Sequence, residues 1–259
     1  SAMLSAWKKQ GEKKESITSK LMTNEELESD LLEKTPWVLE AKNDTEQMQR
    51  LSLLLDLNNT RQQTTLATDK LEELQNYDGG WSWYKGFSSN RSITQYILYG
   101  FTELISLNAV QYPENVKRMQ MNAIRYIDEQ ILKDFQDLKK NNKDWQKISS
   151  ISTNQLEYMY VRSSYRDIPI NQETREAERF YYSIVEKNWT KLKLYERSLL
   201  AVLSKRNGNN DLSLKIINSL RERASINEEM GMYWANNRSS VFVSLSAVSA
   251  HVFIMDAFK

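Results

Sequence analysis

Residues 74–86 read LQNYDGGWSWYKG and place two consecutive glycines next to two tryptophans and a tyrosine. The chain has only seven glycines, and a pair of them marks a turn because glycine adopts backbone angles that other residues avoid. Trp81, Trp83 and Tyr84 are too large and apolar for an ordinary exposed loop without a packing or recognition role. The stretch around Asp78-Gly79-Gly80 therefore predicts either a structural corner or a contact surface.

Length and composition predict a single domain that is mostly helical. The 259 residues are 40% hydrophobic and 27% charged, an ordinary globular balance with enough apolar side chains for a sizeable core. Seven glycines and three prolines are too few for a turn-rich all-β fold. Residues 1–22 are polar and weakly patterned, and their first three resemble the remnant of an expression tag. We expect an extended or frayed segment over 1–22 and one ordered domain over 23–259.

The residue inventory excludes several functional classes. The 35 basic and 34 acidic side chains nearly cancel, so no overall field gathers nucleic acid or anionic lipid. Cysteine is absent and His251 is the only histidine, which excludes thiolate chemistry and the usual histidine or cysteine metal motifs. The sequence has neither a Gly-x-Ser-x-Gly turn nor a glycine-rich phosphate loop. No catalytic residue, cofactor or metal is predicted, and His251 is interpreted as a hydrogen-bonded core residue.

Apolar residues recur at helical spacing through most of the chain after residue 23. Beyond the glycine turn, Ser92 and Gln95 form a predicted capping box for an apolar helix. Pro113 opens a long helix, and Gly208 ends another as a C-cap residue. The apolar run 241–258 contains three serines, a histidine and an aspartate, so it predicts a buried helix rather than a membrane span.

A second glycine-aromatic corner lies at residues 225–237, which read SINEEMGMYWANN. A glycine again precedes adjacent aromatics, Tyr233 and Trp234, ahead of a very apolar helix. Successive helical hairpins joined by such corners bury their inner faces only against neighbouring hairpins. The pattern predicts an all-α toroid, in which about five hairpins stack in a closed or partly closed ring.

Acidic residues near the two corners leave a catalytic alternative open. Asp78 lies beside the tryptophans, and Glu228 and Glu229 precede the second aromatic pair, so a ring could bring acids and sugar-stacking aromatics together. The favoured interpretation is structural. In it Asp78 is a turn residue, and the two glutamates occupy the first turn of a helix, where the helix dipole favours acids.

The corner aromatics divide into two predicted roles. A large ring after a glycine turn wedges between helices, where full burial stabilises the fold by about 2–3 kcal/mol, and we expect this role for Trp81. Trp83, Tyr84 and Tyr233 are expected to be partly exposed and to offer a contact surface. The predicted corner or contact residues are Asp78, Gly79, Gly80, Trp81, Trp83, Tyr84, Tyr233 and Trp234.

Several segments together carry a family resemblance. They are LLEKTPWVLEAKNDTEQMQRLSLLLDLN at 31–58, QNYDGGWSW at 75–83, SITQYILYGFTEL at 92–104, MGMYWANN at 230–237 and SAVSAHVFIMDAF at 246–258. Taken together, they resemble the thioester-type α/α-toroid domain of bacterial alpha-2-macroglobulin proteins, and the resemblance covers most of residues 24–258. Terpenoid cyclases and protein prenyltransferases have a similar toroid and similar glycine-tryptophan corners, but their aspartate-rich motif and zinc ligands are absent here.

The resemblance implies a non-catalytic role in endopeptidase inhibition by protease trapping. Family members are large exported proteins in which a protease cuts a bait segment and the molecule rearranges around the attacker. Many members also couple to the protease through a thioester that needs a Cys-x-x-Gln pair, and this chain has no cysteine. The implied partners are neighbouring macroglobulin-type domains and target proteases, and the implied location is periplasmic, cell-envelope or extracellular. The family's ring closes with a further tryptophan-containing hairpin, so we expect a ring that is incomplete at its C-terminal end.

Two alternatives stay open. One is an envelope adaptor that binds another protein through the ring edge, without membrane insertion. The other is a glycan-binding or glycan-cleaving toroid that uses Trp81, Trp83, Asp78, Trp234 and Glu229.

Overall fold

The computed structural model describes residues 57–106, 114–228, 231–235, 237 and 247–258. Over these ranges the chain forms eight α-helices and very little strand, which confirms the prediction of an all-α fold. The helices are α1 (Leu57–Leu74), α2 (Arg91–Ser106), α3 (Glu114–Asn141), α4 (Thr153–Arg162), α5 (Gln172–Asn188), α6 (Leu194–Arg206), α7 (Asn210–Glu222) and α8 (Ala247–Phe258). Two short 3₁₀ helices lie at Trp145–Lys147 and Trp189–Lys191.

A small antiparallel hairpin joins β1 (Ser225–Asn227) to β2 (Gly231–Tyr233) after α7. Glu228 lies in the hairpin turn, so its predicted place in the first turn of a helix is wrong. Gly231, with φ of +67°, supplies the left-handed backbone on which β2 begins. Glu228, one of the two acids that suggest a helix start here, lies instead in a turn between two strands.

Helix ends follow local sequence signals, with one correction. The side-chain oxygen of Asn90 accepts the backbone N–H of Ile93 at 3.1 Å and caps α2. The predicted capping box of Ser92 and Gln95 is therefore wrong, because Ser92 already lies inside the helix. Gly208 follows α6 with φ of +82°, the left-handed conformation predicted for its C-cap.

The described residues fall into two compact units, one within 1–75 and 100–119, the other within 76–99 and 120–259. In the second unit α6 packs against α4, α7 and α8, and α5 packs against α4. Apolar and aromatic side chains on these helices form its core. The largest fully buried ones in this unit are Leu98, Ile124, Ile127, Ile131, Leu156, Tyr158, Met159, Tyr181 and Leu199.

Polar side chains join α1 to the start of α3 in the first unit. Gln75 Nε2 donates to the carbonyl of Met119 at 2.9 Å, and Asn115 Nδ2 donates to the carboxylate of Glu72 at 3.1 Å. Arg118 forms an ion pair with the same carboxylate. Hydrogen bonds from Arg118 and Asn115 lower the pKa of Glu72, as expected when donors favour the charged form.

The two glycines of the first corner permit a close backbone approach. Gly79 has φ of +88°, and a Cβ at this position would lie 2.3 Å from the backbone oxygen of Asn122 in α3. A Cβ on Gly80 would lie 2.5 Å from Cβ of Ser89 and 3.0 Å from the ring of Tyr126. Neither position has room for a side chain, so the glycine pair brings the corner against α3 as well as reversing the chain.

We expect Gly79→Ala to lower the free energy of unfolding by about 3 kcal/mol or more, because alanine must take a positive φ and displace a helix carbonyl. Gly86→Ala is the matched control, since Gly86 has φ of +87° but nothing within 4 Å of its Cβ position. Its cost should be about 1 kcal/mol. Urea denaturation followed by circular dichroism measures both variants. Equal losses would show that the approach to α3 contributes nothing.

Candidate functional site

Asp78 closes the first corner through its own carboxylate. Asp78 Oδ1 accepts the backbone N–H of Gly80 at 3.0 Å and the hydroxyl of Ser89 at 2.6 Å. The backbone N–H of Asn76 also donates to the carbonyl of Gly80 at 2.9 Å. These bonds match the structural interpretation of Asp78 as a turn residue.

Trp81 is the buried element of this corner, with 2% of its surface exposed. Its backbone N–H donates to Thr94 Oγ1 at 2.9 Å, and its carbonyl accepts the backbone N–H of Asn90 at 2.7 Å. Asn90 caps α2 and Thr94 lies in its first turn. Trp81 thus ties the corner to α2 through its backbone, and its ring is buried.

Beyond Trp81 the corner presents several exposed aromatic side chains. Trp83, Tyr84 and Phe87 are 65%, 72% and 66% exposed, and Tyr77 is fully exposed. The rings of Tyr84 and Phe87 lie 5.9 Å apart. We call Tyr77, Trp83, Tyr84 and Phe87 the aromatic loop. Exposed rings in one short segment are typical of a contact surface. The sequence analysis missed Tyr77 and Phe87, although their nearness to the glycine turn was a usable signal.

Trp234 has a similar buried role at the second corner, with 6% of its surface exposed. Its indole N–H donates to the carbonyl of Leu220 at 2.9 Å. The ring contacts those of His251 and Phe258, with centroids 5.3 Å and 6.3 Å away. Trp234 therefore ties α7 to α8, while the neighbouring Tyr233 is partly buried.

His251 lies partly buried beside the second corner. Its Nδ1 is 3.2 Å from Nδ2 of Asn237, and the same amide donates to the carbonyl of Ala247 at 2.8 Å. The histidine thus packs on a tryptophan ring and has an amide partner. The amide contact agrees with the predicted hydrogen bonding, but the side chain is partly and not fully buried.

The residues of the glycan alternative do not form one accessible site in the part of the chain that is described. Trp81 and Trp234 are buried and offer no ring face to a sugar. Asp78 is bound within its turn, and Glu229 lies outside the described residues. Of this set, Trp83 alone is described as an exposed aromatic. The structure places the contacts of Trp81 on α2 and those of Trp234 on α7 and α8.

A buried charged cluster secures the end of α4, and the sequence analysis did not single it out. Arg162 Nε donates to Asp128 Oδ1 at 3.1 Å, and the hydroxyl of Tyr158 donates to the same oxygen at 2.8 Å. The remaining guanidinium nitrogens donate to the carbonyls of Tyr165 and Ile168. Burial raises the pKa of Asp128 even though Arg162 opposes that shift. The cluster holds the loop between α4 and α5, which is a structural role.

Glu178 on α5 lies beside this cluster. It lines a polar cleft of about 290 Å³ together with Arg162, Arg166 and Arg175. Burial raises the pKa of Glu178 above its ordinary value of 4.5, although Arg162 opposes the shift. Folding therefore favours the neutral form of this carboxyl.

The chain matches no protein-family model, no curated protein and no solved structure. None of the helices in the described ranges combines the length and the apolar character needed to cross a membrane. The corners, the aromatic loop and the helix arrangement are therefore the structural support for any functional proposal.

We expect Trp81→Ala to lower the free energy of unfolding by about 3–5 kcal/mol, because loss of a buried indole leaves a cavity in the interior. Trp83→Ala is the control two residues away, where the ring is exposed, and it should change stability by less than about 0.5 kcal/mol. Chemical denaturation of both variants gives the comparison. Similar costs at the two positions would contradict the wedge role of Trp81.

The pH dependence of stability should report the burial of Glu178. A carboxyl whose pKa is raised by folding contributes stability below its unfolded pKa, and this stability is lost as pH rises through the folded pKa. We therefore expect the wild type to lose stability relative to Glu178→Gln as pH rises from about 4 toward 7. Denaturation at several pH values measures the difference. Glu176→Gln, exposed on the same helix, controls for loss of one negative charge. A flat difference for Glu178→Gln, or one of opposite sign, would contradict the prediction.

Proposed function

We propose that this chain is an α/α-toroid domain of a bacterial alpha-2-macroglobulin-like protein, and that it contributes without catalysis to the trapping of proteases. The family resemblance of several sequence segments supports the role. The arrangement of helices in the second unit supports the toroid. In this proposal the domain lies outside the cytoplasm, between other macroglobulin-type domains of its parent protein.

The observation that carries the proposal is that every second helix belongs to one group of neighbours. In the second unit α6 packs against α4 and α8 as well as against its chain neighbour α7. Tyr165, just after α4, donates its hydroxyl to the carbonyl of Leu98 in α2 at 2.7 Å. The rings of Tyr99 in α2 and Tyr160 in α4 lie 6.0 Å apart. Thus α2, α4, α6 and α8 form a group in which Phe253 of α8 contacts rings of the other three helices, while α5 and α7 pack on α4 and α6. This alternation is expected of hairpins stacked in a ring.

The aromatic loop offers a surface for a neighbouring domain. Its exposed rings include tryptophan and tyrosine, which are enriched among the residues that dominate interface energies. The chain has no cysteine, so the proposed trap acts without a thioester in this chain. The domain would then move as part of the trap and bind a neighbouring domain through its aromatic loop.

The same exposed rings favour a second candidate function, an adaptor that binds another envelope protein through the aromatic loop. A pull-down with the isolated chain separates the two candidates. Capture of one defined envelope protein, lost in Trp83→Ser, would favour the adaptor. The glycan alternative has weaker support because Trp81 and Trp234 are buried.

Protease treatment of the chain joined to its flanking domains tests the trap. After one defined cut, we expect a protease to lose activity on a large protein substrate and keep activity on a small peptide, because a closed trap admits only small molecules. Residual activity on both substrates, measured for several proteases, gives the result. Full activity on both would overturn trapping and place the adaptor first.

A double substitution in the same extended protein tests the aromatic loop. Trp83→Ser combined with Tyr84→Ser should weaken the size-selective loss of activity, because both rings are removed from the proposed interface. Leu214→Ser is the control, since Leu214 is an exposed apolar side chain on α7. An equal effect of the control would show that the loop has no special part.

A further inference from the structure

The four helices α2, α4, α6 and α8 surround a small pocket within the second unit. The cavity has a volume of about 60 Å³ and is lined by residues of α2, α4, α6 and α8. About 10–15 Å³ suffices for one water molecule, so the cavity has room for roughly four or five linked heavy atoms. We call it the tyrosine pocket and define it by Tyr99, Glu157, Tyr160, Tyr195 and Phe253.

Aromatic rings form the walls of the tyrosine pocket. The centroid of Phe253 lies 4.9 Å from that of Tyr99, 5.4 Å from that of Tyr160 and 5.3 Å from that of Tyr195. Tyr96 also lines the pocket and is largely exposed, so the cavity reaches the surface beside it. Such walls attract alkyl chains by dispersion and cations through the ring quadrupole.

One carboxylate belongs to the lining. Glu157 Oε1 accepts the hydroxyl of Tyr195 at 2.8 Å. Among the described residues, Glu157 Oε2 has a single long contact, 3.5 Å from Nε2 of Gln95. A carboxylate oxygen accepts two hydrogen bonds, so Oε2 has capacity for a further donor. Burial raises the pKa of Glu157, which is the response of a carboxylate that has lost water.

Arg91 is the basic residue that acts most strongly on Glu157. It makes its hydrogen bonds with other side chains, and its buried Nη2 has none within the described residues. Arg91 favours the charged form of Glu157, but its guanidinium pairs with Asp134 at 2.6 Å and donates to Gln95 Oε1 at 2.9 Å. Within the described ranges, no lysine or arginine forms an ion pair with Glu157. Glu196 adds a second negative charge nearby. The pocket therefore favours a cationic ligand over an anionic one.

The tyrosines are arranged to attract a cation. Tyr160 donates its hydroxyl to Asp256 at 3.0 Å, much as Tyr195 donates to Glu157. A phenol that donates to a carboxylate has a more electron-rich ring, which strengthens its attraction for a positive charge. Tyr160 already has a cationic partner, since the guanidinium carbon of Arg206 lies over its ring, 4.8 Å from the centroid. Tyr195 supplies a ring without such a partner among the described contacts.

We propose that the tyrosine pocket binds a primary alkylammonium group, such as the end of a lysine side chain. The methylenes lie against Phe253 and the tyrosine rings, and the ammonium donates to Glu157 Oε2. n-Butylammonium reproduces a lysine side chain and fits the roughly five heavy atoms that the volume allows. This binding is independent of protease trapping, because it uses the lining of the pocket and not the aromatic loop.

Titration of the folded chain with n-butylammonium chloride, followed by NMR, tests the proposal. We expect saturable binding with Kd on the order of 1 mM, as befits a very small ligand. n-Butanol has the same shape without the charge and should bind at least about tenfold more weakly. N-acetyl-lysine N-methylamide forms a parallel arm. Comparable binding of this compound would identify lysine within a protein chain as the ligand class. Binding of n-butylammonium alone would identify a free amine.

Substitutions locate the binding in the pocket. Glu157→Gln should weaken n-butylammonium binding by about tenfold or more, because it removes the charge that receives the ammonium. Glu222→Gln, exposed on α7, should leave binding unchanged. Tyr99→Leu removes one aromatic wall, should weaken binding several-fold, and serves as the test if Glu157→Gln does not fold. Equal binding of n-butanol and n-butylammonium would overturn the proposal. So would unchanged binding in the folded Glu157 or Tyr99 variant, or no saturation by about 50 mM.

Discussion

The close approach of Gly79 to the backbone carbonyl of Asn122 governs the first corner of the molecule. A Cβ at Gly79 would lie 2.3 Å from that oxygen, so the corner can reach α3 only when this residue is glycine. The approach sets the direction in which the chain leaves the turn. Trp81 is then buried and its backbone bonds to α2, whereas Trp83, Tyr84 and Phe87 stay exposed. This one steric constraint gives the corner a buried tryptophan, Trp81, beside an exposed aromatic loop.

Tyrosine-carboxylate pairs connect several helices of the second unit. Burying a carboxylate is costly unless donors replace its lost water, and a tyrosine hydroxyl supplies a donor while its ring fills apolar space. Asp128 also forms an ion pair with Arg162, which completes a structural cluster. Another, Glu157, has a single long contact at its second oxygen, 3.5 Å from Nε2 of Gln95. The pairs are Tyr158 with Asp128, Tyr160 with Asp256 and Tyr195 with Glu157.

The helices and both corners could be predicted because their signals are local. Apolar periodicity identifies the helices, and a glycine beside large aromatics identifies a corner. The two wrong predictions also have local causes. Ser92 resembles a cap, but Asn90 stands two residues earlier and takes that position. The acids after Asn227 resemble a helix start, but a short strand precedes them and another follows. Where two local signals compete, the backbone arrangement that packs better prevails. Packing depends on residues outside both short segments, so neither segment predicts it.

The amino-acid sequence by itself determined an all-α chain, two glycine corners and the absence of cysteine chemistry, since each follows from composition or from residues close together in the chain. It could not select Asp128 and Arg162, which are 34 residues apart, or Tyr160 and Asp256, which are 96 apart. Only the tertiary structure decided which helices became neighbours, and with them the lining of the tyrosine pocket. The physical reason is that burial, pKa shifts and ring contacts depend on distances in space, which are set by the packing of whole helices.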